Sequence, residues 1–173
     1  MRPRLKWKPL LSPPGDAGRS PTKEMSSSFA PGRLQLTAHV DDDGTADLFA
    51  IATSSGFAGQ GSAWFNISEI RDFATRIAMY PLQDTVEIAG GFFSDSRPGE
   101  LVQTHLSICV YLLDGRGQLG VRVTLTDPHH ADAIHSVALE FRTIYNRLER
   151  FSRDLLNLVD GRATEAVLEE ELL

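Results

Sequence analysis

The clearest pattern in the chain is an alternation of apolar and polar residues on both sides of the turn sequence DGRG at residues 114–117. An alternation with a period of two is typical of β-strands that have one apolar face. The pattern therefore predicts a hairpin over residues 101–126, closed by a two-residue turn at Gly115-Arg116 or by a four-residue loop in the same register. Keeping the two apolar faces together predicts three opposed pairs: Leu112 with Leu119, Val110 with Val121, and Ile108 with Val123.

Four further segments have strand patterns, at residues 33–40, 46–54, 85–88 and 136–142. The second of these is apolar at nearly every position, which predicts a strand that is covered on both faces. After it, Gly56, Gly59 and Gly61 predict a loop or bulge before the sequence SAWFNI. The chain is therefore expected to be rich in strands.

Two amphipathic helices are also predicted. The first has Asn66 as its N-cap with Glu69 three residues later, which is a capping box, and it ends before Pro81. The second has Thr143 as its N-cap and ends at Gly161. Apolar residues recur at helical spacing in both: Ile70, Phe73, Ala74 and Ile77 in the first, and Ile144, Leu148, Phe151, Leu155 and Leu158 in the second.

Successive strands with tight turns, without strand-helix-strand alternation, predict an α+β fold with a single mostly antiparallel sheet of about six or seven strands. The two helices are expected to pack on the face that carries Val86, Ile88, Ile108, Val110, Val121, Val123, Leu139 and Phe141. Residues 33–161 would form this one domain. Residues 1–32 are predicted to be a disordered basic leader, and residues 162–173 an acidic tail that either extends as a helix or frays.

The net charge is unevenly distributed. The whole chain carries −6, but residues 1–24 carry +4, so residues 25–173 carry −10. An acidic domain disfavours nucleic-acid phosphates and favours a basic partner, although acidity is also a common route to solubility. We therefore expect no nucleic-acid partner.

Membrane and secretion signals are not readable in the sequence. It has no run of about 18 apolar residues that would predict a membrane span or a membrane partner. Pro3, Pro9 and Pro13 interrupt the apolar core that a secretory signal needs. The single cysteine, Cys109, excludes an internal disulfide. Together these features predict a cytoplasmic protein.

The densest set of possible metal ligands follows the hairpin and consists of Asp127, His129, His130, Asp132 and His135. Imidazoles and carboxylates bind transition metals, but a loop headed by Pro128 is also polar for ordinary reasons, so we expect no metal and no cofactor. The sequence contains no G-x-S-x-G motif, and Cys109 lies inside a predicted strand. We therefore predict no catalytic residues and no enzymatic activity.

The second face of the predicted sheet is the candidate partner-binding surface. Around Cys109 it is expected to carry His105, Ser107, Tyr111, Arg122, Thr124, Glu140 and Arg142. A polar face is also what an antiparallel sheet turns to solvent in the absence of any partner. Tyrosine and arginine are nevertheless enriched at protein interfaces, which favours a binding role.

Four motifs follow one another along residues 34–158: SAWFNISEIRDFA, the strand end at Gly90-Gly91, LSICVYLLDGRGQLGVRVTL and ALEFRTIYNRLERF. Their order resembles that of small, poorly characterised bacterial proteins grouped with WapI-type immunity proteins. The resemblance implies a protein that neutralises a toxin domain by stoichiometric binding, and it implies no catalytic residues. The alternatives are an interaction or structural module with another partner, or a metal-binding enzyme that uses the loop of residues 127–135.

Overall fold

The computed structural model of this protein describes residues 30–115, 117–127 and 135–172, which form eight strands and two helices. The elements are β1 (Arg33–Val40), β2 (Thr45–Ser54), β3 (Phe57–Asn66), α1 (Ile67–Ile77), β4 (Val86–Phe93), β5 (Leu101–Leu112), β6 (Gln118–Asp127), β7 (His135–Ile144), α2 (Tyr145–Val159) and β8 (Ala166–Glu169). The predicted leader lies almost entirely outside the described residues, as does Arg116 of the predicted turn.

The strands form two antiparallel sheets. Sheet A has the order β3-β2-β1-β8, and sheet B has the order β4-β5-β6-β7. The α+β class and the antiparallel pairing are therefore confirmed, but the prediction of one sheet of six or seven strands is wrong. The chain leaves sheet A after β3, passes through α1 and starts sheet B at β4, so the two sets of hairpins never pair edge to edge.

The central hairpin has the predicted register. In sheet B, Leu112 pairs with Leu119, and the pairs Val110 with Val121 and Ile108 with Val123 follow. The apolar face that the sequence predicted on this sheet is buried at every position. Strand β3 of sheet A crosses all four strands of sheet B and covers much of this apolar face, so the helices do not cover it alone.

Small residues in β3 and β4 let the two sheets approach closely. A methyl group added to Gly59 would lie 2.2 Å from Cγ1 of Val137 in β7, and one added to Gly90 would lie 2.7 Å from Cζ of Phe65. The glycines at positions 59 and 61 therefore lie within a strand, at the sheet-to-sheet contact. The predicted loop or bulge at these positions is wrong, because the glycines give space for side chains of the opposite sheet.

Strand β2 is covered on one face only. Ala46, Leu48, Ala50 and Ala52 point into the core and are buried, whereas Ile51 is 40% exposed. The prediction that this strand is covered on both faces is wrong. Its apolar residues of the other parity lie on the outer face of sheet A, which no element among the described residues covers.

Helix α1 has the predicted capping box and apolar stripe. The backbone amide of Asn66 donates to Oε2 of Glu69 at 2.9 Å, which satisfies a donor that helix geometry leaves without a partner. Its buried side chains are Ile70, Phe73, Ala74 and Ile77. The helix packs against β3 and β4, and it also packs on α2.

No helix within the described parts of the chain is long and apolar enough to cross a membrane.

Helix α2 begins later than predicted. The backbone stays extended through Ile144, which is the N-cap, because Ile144 still pairs with Gln118 of β6. Thr143 does not cap the helix, since its hydroxyl donates to the carbonyl of Glu169 in β8 at 3.2 Å. The helix ends as predicted: Gly161 follows the C-cap with φ +70°, a conformation that glycine adopts without strain.

The C-terminal segment belongs to the fold. Residues 166–169 form β8, which pairs with β1 and buries Ala166 and Leu168 completely. The backbone amide of Glu170 then donates to the carbonyl of Gly32 at 2.7 Å. The predicted acidic tail, whether helical or frayed, is therefore wrong, and the domain extends beyond residue 161.

Candidate functional site

The register of sheet B brings most of the predicted partner-binding residues onto one face, here called the outer face of sheet B. Cys109 pairs with Arg122, and Arg122 pairs with Glu140, so these residues form one row across β5, β6 and β7. Glu87 of β4 extends the row because it pairs with Cys109. Side chains of one parity share a face, so this row is the centre of the candidate site.

Three side chains interact at this centre, and we call them the Tyr111–Arg122–Glu140 cluster. Nη2 and Nε of Arg122 lie 3.0 and 3.1 Å from the same carboxylate oxygen of Glu140. The guanidinium carbon of Arg122 lies 5.4 Å from the centroid of the Tyr111 ring, within cation–π distance. The Arg122 and Glu140 side chains remain 55% and 48% exposed, so the cluster is ordered by its own contacts and yet open to a partner.

The Tyr111 ring lies close to a glycine on the neighbouring strand. Tyr111 pairs with Gly120, and a methyl group at Gly120 would lie 2.5 Å from Cζ of the ring. An aromatic ring that covers a cross-strand glycine is a recognised packing device in sheets. The predicted register already opposed these two residues, so the sequence contained this signal, but the prediction did not use it.

The groups of the face perturb one another electrostatically. The hydrogen bond from the Tyr111 hydroxyl lowers the pKa of the Glu140 carboxyl, and the Arg122 guanidinium lowers it further. Burial raises the pKa of the Tyr111 hydroxyl, and Glu140 raises it further. Burial also raises the pKa of the Cys109 thiol, with Glu87 as the second cause. A thiol with a raised pKa stays protonated at neutral pH, which is unfavourable for a nucleophile.

The titration of Tyr111 provides a test of these contacts. Replacing Glu140 with glutamine removes the negative charge and leaves a weaker amide acceptor for the hydroxyl. The phenolate is then less disfavoured, so the pKa of Tyr111 should fall towards its ordinary value. The measurement is a ¹³Cζ-tyrosine NMR titration, in which the three tyrosines of the chain give separate signals. Glu149→Gln, an exposed change on α2, is the control and should leave the Tyr111 midpoint in place. An unchanged midpoint in Glu140→Gln would contradict the described contact.

A groove of about 380 Å³ adjoins the cluster. One wall is the segment of residues 82–85 that precedes β4, and the other is formed by Cys109, Tyr111 and Leu112 of β5. The backbone amide of Leu82 donates to the Tyr145 hydroxyl of α2 at 3.0 Å, which holds this segment in place. The groove is a shallow site in which a side chain of a partner could lie beside the Tyr111 ring.

Two of the predicted partner-binding residues do not reach the surface. His105 is only 5% exposed and packs edge-on against Phe92, with ring centroids 4.4 Å apart. It is the extra residue of a β-bulge, since Gly90 pairs with Leu106 but Gly91 pairs with Thr104. Ser107 is 8% exposed. The alternation alone placed both residues on the exposed face, but the bulge and neighbouring side chains bury them.

The remaining predicted residues of the face are in place. Thr124 is half-buried on β6 and Arg142 is exposed on β7. Ser107 pairs with Thr124, and Gly120 pairs with Arg142, so both lie beside the central row. The Ser107 hydroxyl donates to Oε1 of Glu87 at 2.6 Å and thereby orients that carboxylate. The residue that the sequence analysis missed is Glu87, because the pairing of β4 with β5 was not assigned.

The possible metal ligands are described only in part. Asp127 and His135 face each other as the last residue pair of β6 and β7. His129, His130 and Asp132 lie outside the described residues. Among the residues that the structure does describe, no group of three or more histidine, cysteine or acidic side chains is arranged to hold a metal ion.

Comparison with known proteins adds no relative. Neither the family models, nor the curated proteins, nor the solved structures include a match to this chain. The resemblance to WapI-type immunity proteins therefore stays a prediction that rests on the order of the motifs in the sequence.

Proposed function

We propose that this protein is a non-enzymatic binding protein that docks a protein partner on the outer face of sheet B. The observation that supports the proposal is the Tyr111–Arg122–Glu140 cluster. Tyrosine and arginine are among the residues that contribute most binding energy at interfaces. The ion pair and the cation–π contact hold both side chains in one arrangement, so a partner would meet an ordered surface and lose less side-chain entropy on binding.

The proposed partner is a basic protein domain. Residues 25–173 carry a net charge of −10. On the face itself, the carboxylates of Glu140, Glu87 and Asp84 outnumber the guanidinium groups of Arg122 and Arg142, so the face is weakly acidic. Complementary charge steers association and raises its rate, and this effect weakens with salt.

The specific form of the proposal is an immunity protein of the bacterial cytoplasm. It would neutralise a toxin domain by one-to-one binding that covers the active site or the substrate surface of the toxin. Such a role requires a stable interface and no catalytic activity. The chain has a single cysteine and forms no internal disulfide, which is compatible with a reducing compartment. An interaction module for a different partner uses the same face, and the identity of the captured protein distinguishes the two forms.

A metal-dependent role is the second candidate, and the direct opposition of Asp127 and His135 favours it. The zinc content of the purified protein tests this candidate. Stoichiometric zinc that is lost in His135→Ala would favour this candidate over the binding role. Less than about one zinc ion per ten protein molecules would rule out the metal-dependent role.

The test of the proposed function is capture from a lysate of the source organism with residues 25–173 as bait, at low and at moderate salt. We expect a basic polypeptide at one-to-one stoichiometry, with more recovered at low salt. Tyr111→Ala and Arg122→Ala should each weaken binding by about 30-fold, as hot-spot residues do. Exposed Arg153→Ala on α2 is the matched control and should bind as well as the unchanged protein.

Unfolding curves of Tyr111→Ala and Arg122→Ala show whether a loss of binding results from a loss of folded protein. Because exposed ion pairs contribute only about 0.2–1 kcal/mol, Arg122→Ala should stay folded with nearly the original stability. Equal recovery of the partner by Arg122→Ala, Tyr111→Ala and the unchanged protein would show that the outer face of sheet B is not the binding surface.

The single cysteine offers an independent probe of the same surface. Cys109 lies between Glu87 and Arg122 in the central row and is partly exposed. A partner docked on the face should cover it, so alkylation of the thiol by N-ethylmaleimide should be slower in the complex than in the protein alone. An unchanged alkylation rate in a saturated complex would place the partner elsewhere.

A further inference from the structure

Strand β4 is an open edge of sheet B. Within the described residues it pairs with β5 alone, and no hydrogen bond reaches its other side. Its first five residues, Val86 to Gly90, pair with β5 in regular register, and the bulges come after them. A regular edge of this length presents backbone donors and acceptors to a further strand.

The opposite edge of the same sheet is occupied. The Ser54 hydroxyl donates to the carbonyl of Glu140 in β7 at 2.9 Å, and the backbone amide of Glu171 donates to the carbonyl of Arg142 at 2.9 Å. These contacts from sheet A and the C-terminal segment block the addition of a strand to β7. The two edges of sheet B therefore differ in accessibility, and β4 is the one that can accept a strand.

A groove of about 500 Å³ runs between the open part of β4 and helix α1. Phe65 and Ile88 contribute its apolar part. Its carboxylates are Glu69 and Asp72 of α1 and Glu87 of β4. A sheet edge flanked by a helix is the geometry in which an extended peptide adds a strand to a folded domain, with backbone hydrogen bonds supplying affinity and alternate side chains supplying specificity.

We propose that the groove between β4 and α1 binds an extended, basic peptide segment of a partner protein, which adds to sheet B as a fifth strand beside β4. Side chains of the added strand would alternate between the two faces of the sheet. Those of one parity would lie beside Glu87 on the outer face. Those of the other would enter the groove, where the small exposed parts of Phe65 and Ile88, 4% and 7% of each residue, contact apolar atoms and Asp72 accepts a cation.

Charge decides which peptide fits. Three carboxylates line the groove, and among the described residues the basic group that pairs with one of them is Arg76 of α1, 3.6 Å from Oδ2 of Asp72. The groove therefore stays acidic, so a basic segment gains attraction where an acidic one is repelled. Glu69 accepts from the amide of Asn66 as the helix cap. Asp72 and Glu87 each have one partner within the protein, Arg76 and the Ser107 hydroxyl respectively. A carboxylate has about four acceptor positions, so both groups can still accept from a basic side chain.

The proposal does not depend on the Tyr111–Arg122–Glu140 cluster. Glu87 borders both surfaces, so Asp72→Asn is the variant that distinguishes the groove from the outer face of sheet B.

The test uses a fluorescein-labelled octapeptide in which lysine alternates with valine. Fluorescence anisotropy should show binding that weakens with salt, and a peptide with glutamate in place of lysine should not bind. Two further versions carry N-methyl groups on every second amide, in one parity or the other. Because strand addition uses amides of one parity only, one version should bind about tenfold or more weakly while the other binds nearly as the parent does. Equal binding by both N-methylated versions would overturn the proposal.

Protein variants and NMR locate the peptide. Asp72→Asn and Glu87→Gln should each weaken binding by roughly three- to tenfold, and Glu149→Gln on α2 should leave it within about twofold. Amide signals of residues 86–90 should shift on titration and become protected from hydrogen exchange. Shifts confined to the Tyr111 and Arg122 region, with residues 86–90 unaffected, would place the peptide on the outer face and overturn the proposal.

Discussion

Gly91→Ala is expected to lower the free energy of unfolding by about 3 kcal/mol, at the upper end of overpacking effects. An alanine methyl at this position would lie 2.0 Å from the carbonyl oxygen of Gln103 and 2.8 Å from the amide nitrogen of His105. Both contacts are with backbone atoms of β5, so no change of rotamer can relieve them. The bulge that inserts His105 into β5 draws the two strands together here, and only a residue without a side chain fits.

Thermal and urea unfolding are the measurements. A loss of about 3 kcal/mol corresponds to a fall in Tm of about 6–12 °C for a domain of this size. Gly115→Ala is the matched control, because an added methyl there meets no atom within 4 Å, and its Tm should change little. Equal Tm values for the two variants would show that β5 does not approach Gly91 as closely as described.

The sequence was sufficient to predict the central hairpin because the constraint is local. Four apolar residues on each arm must face the same way, and only one register achieves this next to the turn. The capping box of α1 is local in the same sense, since Asn66 and Glu69 are three residues apart. Predictions of this kind depend on a short stretch of chain and on nothing beyond it.

The division into two sheets depends on contacts between distant parts of the chain. Alternation shows which face of a strand is apolar, but it does not show whether a helix or another sheet covers that face. The covering element is β3, whose glycines suggested a loop or bulge when considered alone. The small size of Gly59 makes sense only beside Val137, which lies far along the sequence in β7.

The candidate site was predictable to the extent that it follows the hairpin. Cys109, Arg122 and Glu140 form a row because β5, β6 and β7 are simple antiparallel neighbours. His105 departs from the prediction at the bulge, where one extra residue interrupts the alternation. The groove beside β4 was not predictable, because it depends on where α1 packs relative to β4.

Leu168→Ala is expected to destabilise the protein by about 2–5 kcal/mol, which is the usual cost of removing a leucine side chain from a core. Leu168 is fully buried in β8 and pairs with Leu34 of β1, which is also fully buried. Helix α2 packs against both strands, so the lost side chain would leave a cavity among elements that are held on several sides. The expected fall in Tm is about 4–20 °C, because 1 kcal/mol corresponds to about 2–4 °C.

Leu172→Ala is the control that gives this experiment its meaning. Leu172 lies four residues further along the same acidic segment but is 70% exposed, so its replacement should change stability by less than about 0.5 kcal/mol. The segment EAVLEEELL by itself suggests a frayed or helical tail, and in that case both leucines would be dispensable. A large effect at position 168 with none at position 172 is expected only if β8 completes sheet A. Equal and small effects of Leu168→Ala and Leu172→Ala on stability would instead show that the folded domain ends at Gly161 and that β1 is an edge strand.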